Sequence, residues 1–111
     1  MAILVLTTVP DLESAQTLAR ALVEERLAAC VNIGGPITSV YRWKGTVETA
    51  TEHQLVIKTV SDRVTAVHAR VAALHPYELP EFLVLDVAGG DSSYLTWITA
   101  QTDGPDSEPA R

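Results

Sequence analysis

Four side chains able to carry chemistry fall close together in Leu74-His75-Pro76-Tyr77-Glu78-Leu79-Pro80-Glu81: His75, Tyr77, Glu78 and Glu81. A neutral imidazole beside carboxylates is a donor set for Cu(II) or Zn(II). The same groups can perform acid–base work. A structural role competes with both: His75 can cap the C-terminus of a helix, where a cation is favoured, while Pro76 and Pro80 shape a connection. The remaining motifs of common chemistry are absent. There is no phosphate loop, no nucleophile elbow and no HExxH. The one cysteine, Cys30, forms no CxxC, and His53, His68 and His75 are not spaced as local metal ligands. A metal site in this sequence therefore rests on His75, Glu78 and Glu81, with Arg42, Trp43 and Lys58 as candidate neighbours, or is assembled between chains.

The element that must position these groups is a hairpin from Ile37 to Val60. Ile37, Ser39, Tyr41 and Trp43 alternate with Thr38, Val40 and Arg42, the period of a strand. Lys44-Gly45 supplies the turn. The returning arm ends in Gln54-Leu55-Val56-Ile57-Lys58-Thr59-Val60, a run expected to be buried on both faces. If the first arm starts at Cys30 it spans roughly 45 Å, against a radius of gyration of about 13 Å for a domain of this size. Gly34-Gly35-Pro36 is the place for a bend. The tip from Tyr41 to Glu48 should project beyond the core, exposing strand edges and aromatic surface, and this predicts a homo-oligomer.

The rest of the chain supplies the frame. Ala2–Thr7 reads as a central strand buried on both faces. Asp11 caps a helix running to about Leu27, with Leu12, Ala15, Leu18, Ala19, Leu22 and Val23 on its apolar stripe. Cys30, in apolar surroundings, reads as a small core residue. Ser61 is the expected cap of a second helix, whose stripe is Val64, Val67, Val71 and Leu74 and which ends before Pro76; His68 belongs to its surface. Phe82–Val87 is a further strand. Asp91 caps a short terminal helix that turns Tyr94, Leu95 and Ile98 inward and can bring Trp97 to that face. The order β-α-β-β-α-β is an α+β, ferredoxin-like arrangement: an antiparallel sheet with two helices on one face. Its other face carries apolar residues that need a cover, which a sister subunit can give. The domain is expected to span residues 1–102, and residues 103–111 a disordered tail.

The chain has 111 residues, 47% of them hydrophobic, and a formal net charge of −6. That size fits one domain. The acidic balance argues against nucleic-acid and anionic-membrane partners and permits cations. With a single cysteine, no leader pattern and no membrane-spanning run, the expectation is a cytoplasmic protein.

Several separated segments, in order, resemble the divalent-cation tolerance proteins of the CutA family. They are Leu27-Ala28-Ala29-Cys30-Val31-Asn32, Tyr41-Arg42-Trp43-Lys44-Gly45, Gln54-Leu55-Val56-Ile57-Lys58-Thr59, the His75–Glu81 segment, and Tyr94-Leu95-Thr96-Trp97-Ile98. The resemblance covers roughly Ile3 to Ile98. It implies a ferredoxin-like subunit in a homotrimer similar to those of the PII signalling proteins, a link to copper and divalent-metal tolerance, and no defined catalytic reaction. Tyr41, Arg42, Trp43, Lys58, Tyr77 and Trp97 are the candidate interface or cleft positions. Bacterial members with a copper site use a cysteine and a histidine pair that correspond to Thr7, Leu74 and His75 here. Only His75 keeps its ligand, so a weakly held Cu(II) or other divalent cation is expected, helped by Glu78, Glu81 or a neighbouring subunit. The alternative is a PII-like signalling or scaffold trimer that takes a small molecule or partner in a cleft between subunits. An enzyme using His75 or Glu78 as base ranks last.

Overall fold

The structure, a computed structural model, describes residues 1–103; the expected tail lies outside the described residues apart from Asp103. The elements are β1 (Ala2–Val9), α1 (Leu12–Glu24), β2 (Cys30–Trp43), β3 (Thr46–Val60), a 3-10 turn (Ser61–Arg63), α2 (Val64–Leu74), β4 (Leu83–Asp86) and α3 (Ser92–Gln101). The strands form one sheet in the order β2-β3-β1-β4, with every neighbouring pair antiparallel. This is the ferredoxin-like arrangement expected from the sequence.

Local chemistry sets the helix ends. Asp11 Oδ1 accepts the Ser14 N–H at 2.7 Å and opens α1. Asp91 does the same for α3, accepting the Tyr94 N–H at 3.0 Å. α1 stops at Glu24, short of Leu27. Arg26 takes φ 59°, and the Leu27 and Arg26 N–H groups turn back to Leu22 and Val23 O, the paired bonds of a Schellman stop. Ser61 is not the cap expected for α2. Its N–H and hydroxyl both reach Met1 O, tying the end of β3 to the chain start, and α2 begins three residues later.

The expected two-faced burial of β1 and β3 is replaced by alternation. Ile3, Val5, Thr7, Leu55, Ile57 and Thr59 are buried against the helices, while Leu4, Leu6, Val56 and Lys58 on the opposite face are only half-buried. The reason is architectural: α1 and α2 cover one face, and on the other α3 packs across β1 and β3. Cys30 lies opposite Lys58 in the ladder, on that less covered face, and is half-buried rather than core. The helix stripes also stop short at their ends, where Leu12, Val23 and Leu74 are exposed. The buried Thr59 hydroxyl is satisfied by Leu27 O at 2.7 Å.

The hairpin follows its sequence pattern. Lys44 (φ 50°) and Gly45 (φ 82°) form a two-residue turn of the primed type, which matches strand twist. A bulge lies between Gly34 and Ile37. Gly35 there has φ 119°, and a Cβ on it would meet Glu52 O at 3.0 Å. The molecule is elongated, 48 × 26 × 23 Å, and Val40, Tyr41 and Val47 near the tip are exposed.

Candidate functional site

The bulge decides what the hairpin presents. Before it, Cys30, Asn32 and Gly34 pair with Lys58, Val56 and Gln54, on the face turned away from α1 and α2. Without an extra residue, the even-numbered positions of β2 would stay on that face. The bulge inverts the phase, so Ile37 pairs with Glu52, Ser39 with Ala50 and Tyr41 with Glu48. A shift of one residue transfers every side chain to the other face. Tyr41 and Trp43 therefore share a face with Glu52.

Against this face lies the connection from α2 to β4. The two enclose a groove of about 720 Å³. One wall is Thr8, Tyr41, Trp43, Glu48 and Glu52; the other is Pro76 to Glu81. Tyr77 spans the groove, donating its hydroxyl to Glu52 Oε2 at 3.0 Å. Burial, reinforced by the Glu52 carboxylate, pushes the Tyr77 phenol up to about 12. Burial also raises the Glu81 carboxyl, with repulsion from Glu52 adding to it. Glu81 Oε2 is enclosed and has no hydrogen-bond partner. Glu78 sits at the rim, where Lys44 Nζ approaches to 4.0 Å, an exposed pair of little energetic weight.

His75 stands behind the groove, 9% exposed. Its Nε2 lies 2.6 Å from Thr8 O, and its Nδ1 accepts the Tyr77 N–H at 3.1 Å. It is also the C-cap of α2, the structural role expected from the sequence, with its backbone N–H donating to Val71 O at 2.9 Å.

Of the residues singled out from sequence, the fold gathers Tyr41, Trp43, Tyr77, Glu78 and Glu81 around one groove, with His75 anchoring its wall. Arg42 and Lys58 are elsewhere. Arg42 turns back to Gly45 O at 3.3 Å. Lys58 donates to Tyr94 Oη at 3.3 Å under α3, and Trp97 packs on the same Tyr94 ring at 5.5 Å.

Residues 3–101 match the model of the CutA1 family, described as the CutA1 divalent ion tolerance protein. The chain belongs to the CutA1 family. The CutA divalent-cation tolerance protein of Thermus thermophilus is 50% identical over 98 residues, covering 88% of this chain and 95% of that protein. The crystal structure of CutA from Xylella fastidiosa superposes with a TM-score of 0.90 at 48% identity, covering 92% of this chain and 98% of the other. A CutA structure from Archaeoglobus fulgidus, described as a periplasmic divalent cation tolerance protein, gives a TM-score of 0.90 at 37% identity, with coverage of 93% and 100%. The Thermus and Archaeoglobus proteins are named for tolerance to divalent cations. Among the described residues no helix is long and apolar enough to cross a membrane.

The CutA1 name raises the question of metal fit. Among the described residues, no three His, Cys, Asp or Glu side chains gather so as to hold a metal ion. Thr7 is fully buried in the core, Leu74 is 37% exposed, and both ring nitrogens of His75 face backbone groups. One chain by itself does not fit the metal.

Sequence reasoning missed Glu52, the buried centre of the groove at 7% exposure. Its partner Tyr77 is 25 residues away. The available signal was indirect: a Gly-Gly-Pro bulge re-aims side chains, and Glu52 lies directly across from it.

Proposed function

We propose that this CutA1 protein serves divalent-cation tolerance as a homotrimer. In this reading Cu(II) or another divalent cation is taken weakly at the groove. Glu78 and Glu81 are the carboxylate donors, and a neighbouring subunit supplies the donors that one chain lacks. The observation that carries this reading is the groove itself: Glu48, Glu52, Glu78 and Glu81 line it, with Lys44 approaching Glu78 at the rim. Such a surface attracts cations and repels anions. The family's name for its function points the same way.

Assembly is supported by what the single chain leaves uncovered. Leu83 and Leu85 of β4 are exposed beside half-buried Leu6 and Leu4. The tip offers Val40, Tyr41 and Val47. Tyr41, Arg42, Trp43 and Tyr77 belong to the interface near the groove, and Lys58 and Trp97 to a contact nearer α3. A cytoplasmic location is part of the reading, in keeping with the unpaired Cys30. No catalytic step is assigned.

Native mass spectra with and without added Cu(II) test the proposal. A trimer that takes up a fixed number of copper ions, fewer in Glu78→Gln and Glu81→Gln, is the expected result. A metal-free trimer opposes the cation part, and a monomer opposes the assembly.

A second reading has one observation in its favour. The groove has the volume of a small-molecule site and carries Tyr41, Trp43 and Tyr77 as apolar walls. A PII-like trimer binding an organic ligand there would be stabilised by that ligand in a thermal-shift screen, with the effect lost in Trp43→Ala. Given the carboxylates, such a ligand would be cationic.

A further inference from the structure

His75 is the one residue that keeps a ligand identity from the copper-site positions of the family resemblance, yet its surroundings give it other work. Its Nε2 lies 2.6 Å from the carbonyl oxygen of Thr8. A carbonyl can only accept, so Nε2 carries the hydrogen. Its Nδ1 receives the backbone N–H of Tyr77 at 3.1 Å. A backbone N–H can only donate, so Nδ1 is bare. The two bonds together fix one neutral tautomer and leave neither nitrogen a lone pair facing a metal. The residue is buried, and replacing either backbone partner by a metal would leave a buried peptide group unsatisfied.

We propose that His75 is a latch rather than a metal ligand in this protein. One nitrogen grips β1 at Thr8 and the other grips the connection at Tyr77. The imidazole thereby bolts the Pro76–Glu81 wall of the groove to the sheet. It acts through Tyr77, whose ring it also touches at 4.9 Å between centroids, and whose hydroxyl closes on Glu52. His75 is a positioning residue for the groove. The inference goes beyond the cation reading and does not depend on it, since the tautomer exists whether or not a cation binds.

The deciding experiment is a long-range proton–nitrogen correlation spectrum of the imidazoles in the full-length, nitrogen-15-labelled protein, recorded alone and then with excess Zn(II), a diamagnetic probe. The expected result is a His75 ring with hydrogen on Nε2 and a bare Nδ1, unchanged by Zn(II). Hydrogen on Nδ1 in the metal-free protein overturns the proposal, as does a metal-bound nitrogen shift at His75 when Zn(II) is added. If Zn(II) binds, as read by native mass, while the His75 signals stay fixed, the latch and the carboxylate reading both stand. If no Zn(II) binds, the carboxylate reading falls for zinc and the latch still stands on its tautomer.

Two variants separate the bonds. The side-chain amide of Asn reaches the place of Nδ1 and that of Gln the place of Nε2. His75→Gln should speed exchange of the Tyr77 N–H about fivefold, the loss of one neutral hydrogen bond, and His75→Asn should hold it near the parent rate. Unchanged exchange in both overturns the latch. Should either variant fail to fold, the parent spectrum decides alone.

Discussion

Tyr77 donates its hydroxyl to Glu52 Oε2 across 3.0 Å, joining the connection after α2 to the middle of the long hairpin. Glu52 is 7% exposed, so this bond satisfies a carboxylate that water barely reaches. Removing the donor in Tyr77→Phe should cost about 1.5–3 kcal/mol, the range for a hydrogen bond to a charged group. Urea unfolding at matched protein concentration measures it. Tyr77→Phe combined with Glu52→Gln should lose less than the sum of the two single changes.

The same bond sets an alkaline limit. The Tyr77 phenol rises from 10.0 to about 12 on folding, so the folded state holds that proton more tightly than the unfolded chain. The stability it confers is complete below pH 10.0 and lost as pH climbs through about 12. The parent should lose stability over that window more steeply than Tyr77→Phe, as read by denaturant midpoints across pH.

Glu81 works in the opposite sense at neutral pH. Its carboxyl is raised above 4.5 by burial and by Glu52, so the folded state prefers it protonated. Its contribution is full below pH 4.5 and is lost as pH rises through the raised value. Glu81→Gln should therefore stabilise the metal-free protein at pH 7, with the gain shrinking toward pH 4. Denaturant midpoints at the two pH values check this. In the cation reading the same substitution lowers Cu(II) uptake, so stability and binding move in opposite directions.

Thr7 Oγ1 is buried in the core without a hydrogen-bond partner. Thr7→Val keeps the shape and removes the stranded hydroxyl. A gain of about 1 kcal/mol is expected, the lower end of the penalty for an unsatisfied buried group. A midpoint no higher than that of the parent would show that the hydroxyl is satisfied in solution.

The projecting tip carries the assembly prediction. Trp43→Ala should weaken the proposed trimer by about 2 kcal/mol or more, as truncation of a buried interface aromatic does. Dilution followed by light scattering reads the change. An equally tight assembly would place the interface away from the tip.

By itself the sequence determined what depends on near neighbours. Asp11 and Asp91 cap their helices, and Lys44-Gly45 makes the turn, as their residue types require. The alternation and length of the hairpin, and the order of the elements, were legible because hydrophobic period and turn chemistry are local properties. The segments that identify the family were legible for the same reason. Only the tertiary structure decided the rest. The bulge set which face Tyr41 and Trp43 occupy, and a one-residue phase change leaves no mark in the alternation of either arm. α1 and α2 cover one face of the sheet, so the apolar runs of β1 and β3 are buried on one side instead of two. Glu52 met Tyr77 across 25 residues and His75 met Thr8 across 67. Bonds at such separations are fixed by where the sheet and helices bring the backbone, and that geometry is written in no single stretch of the chain.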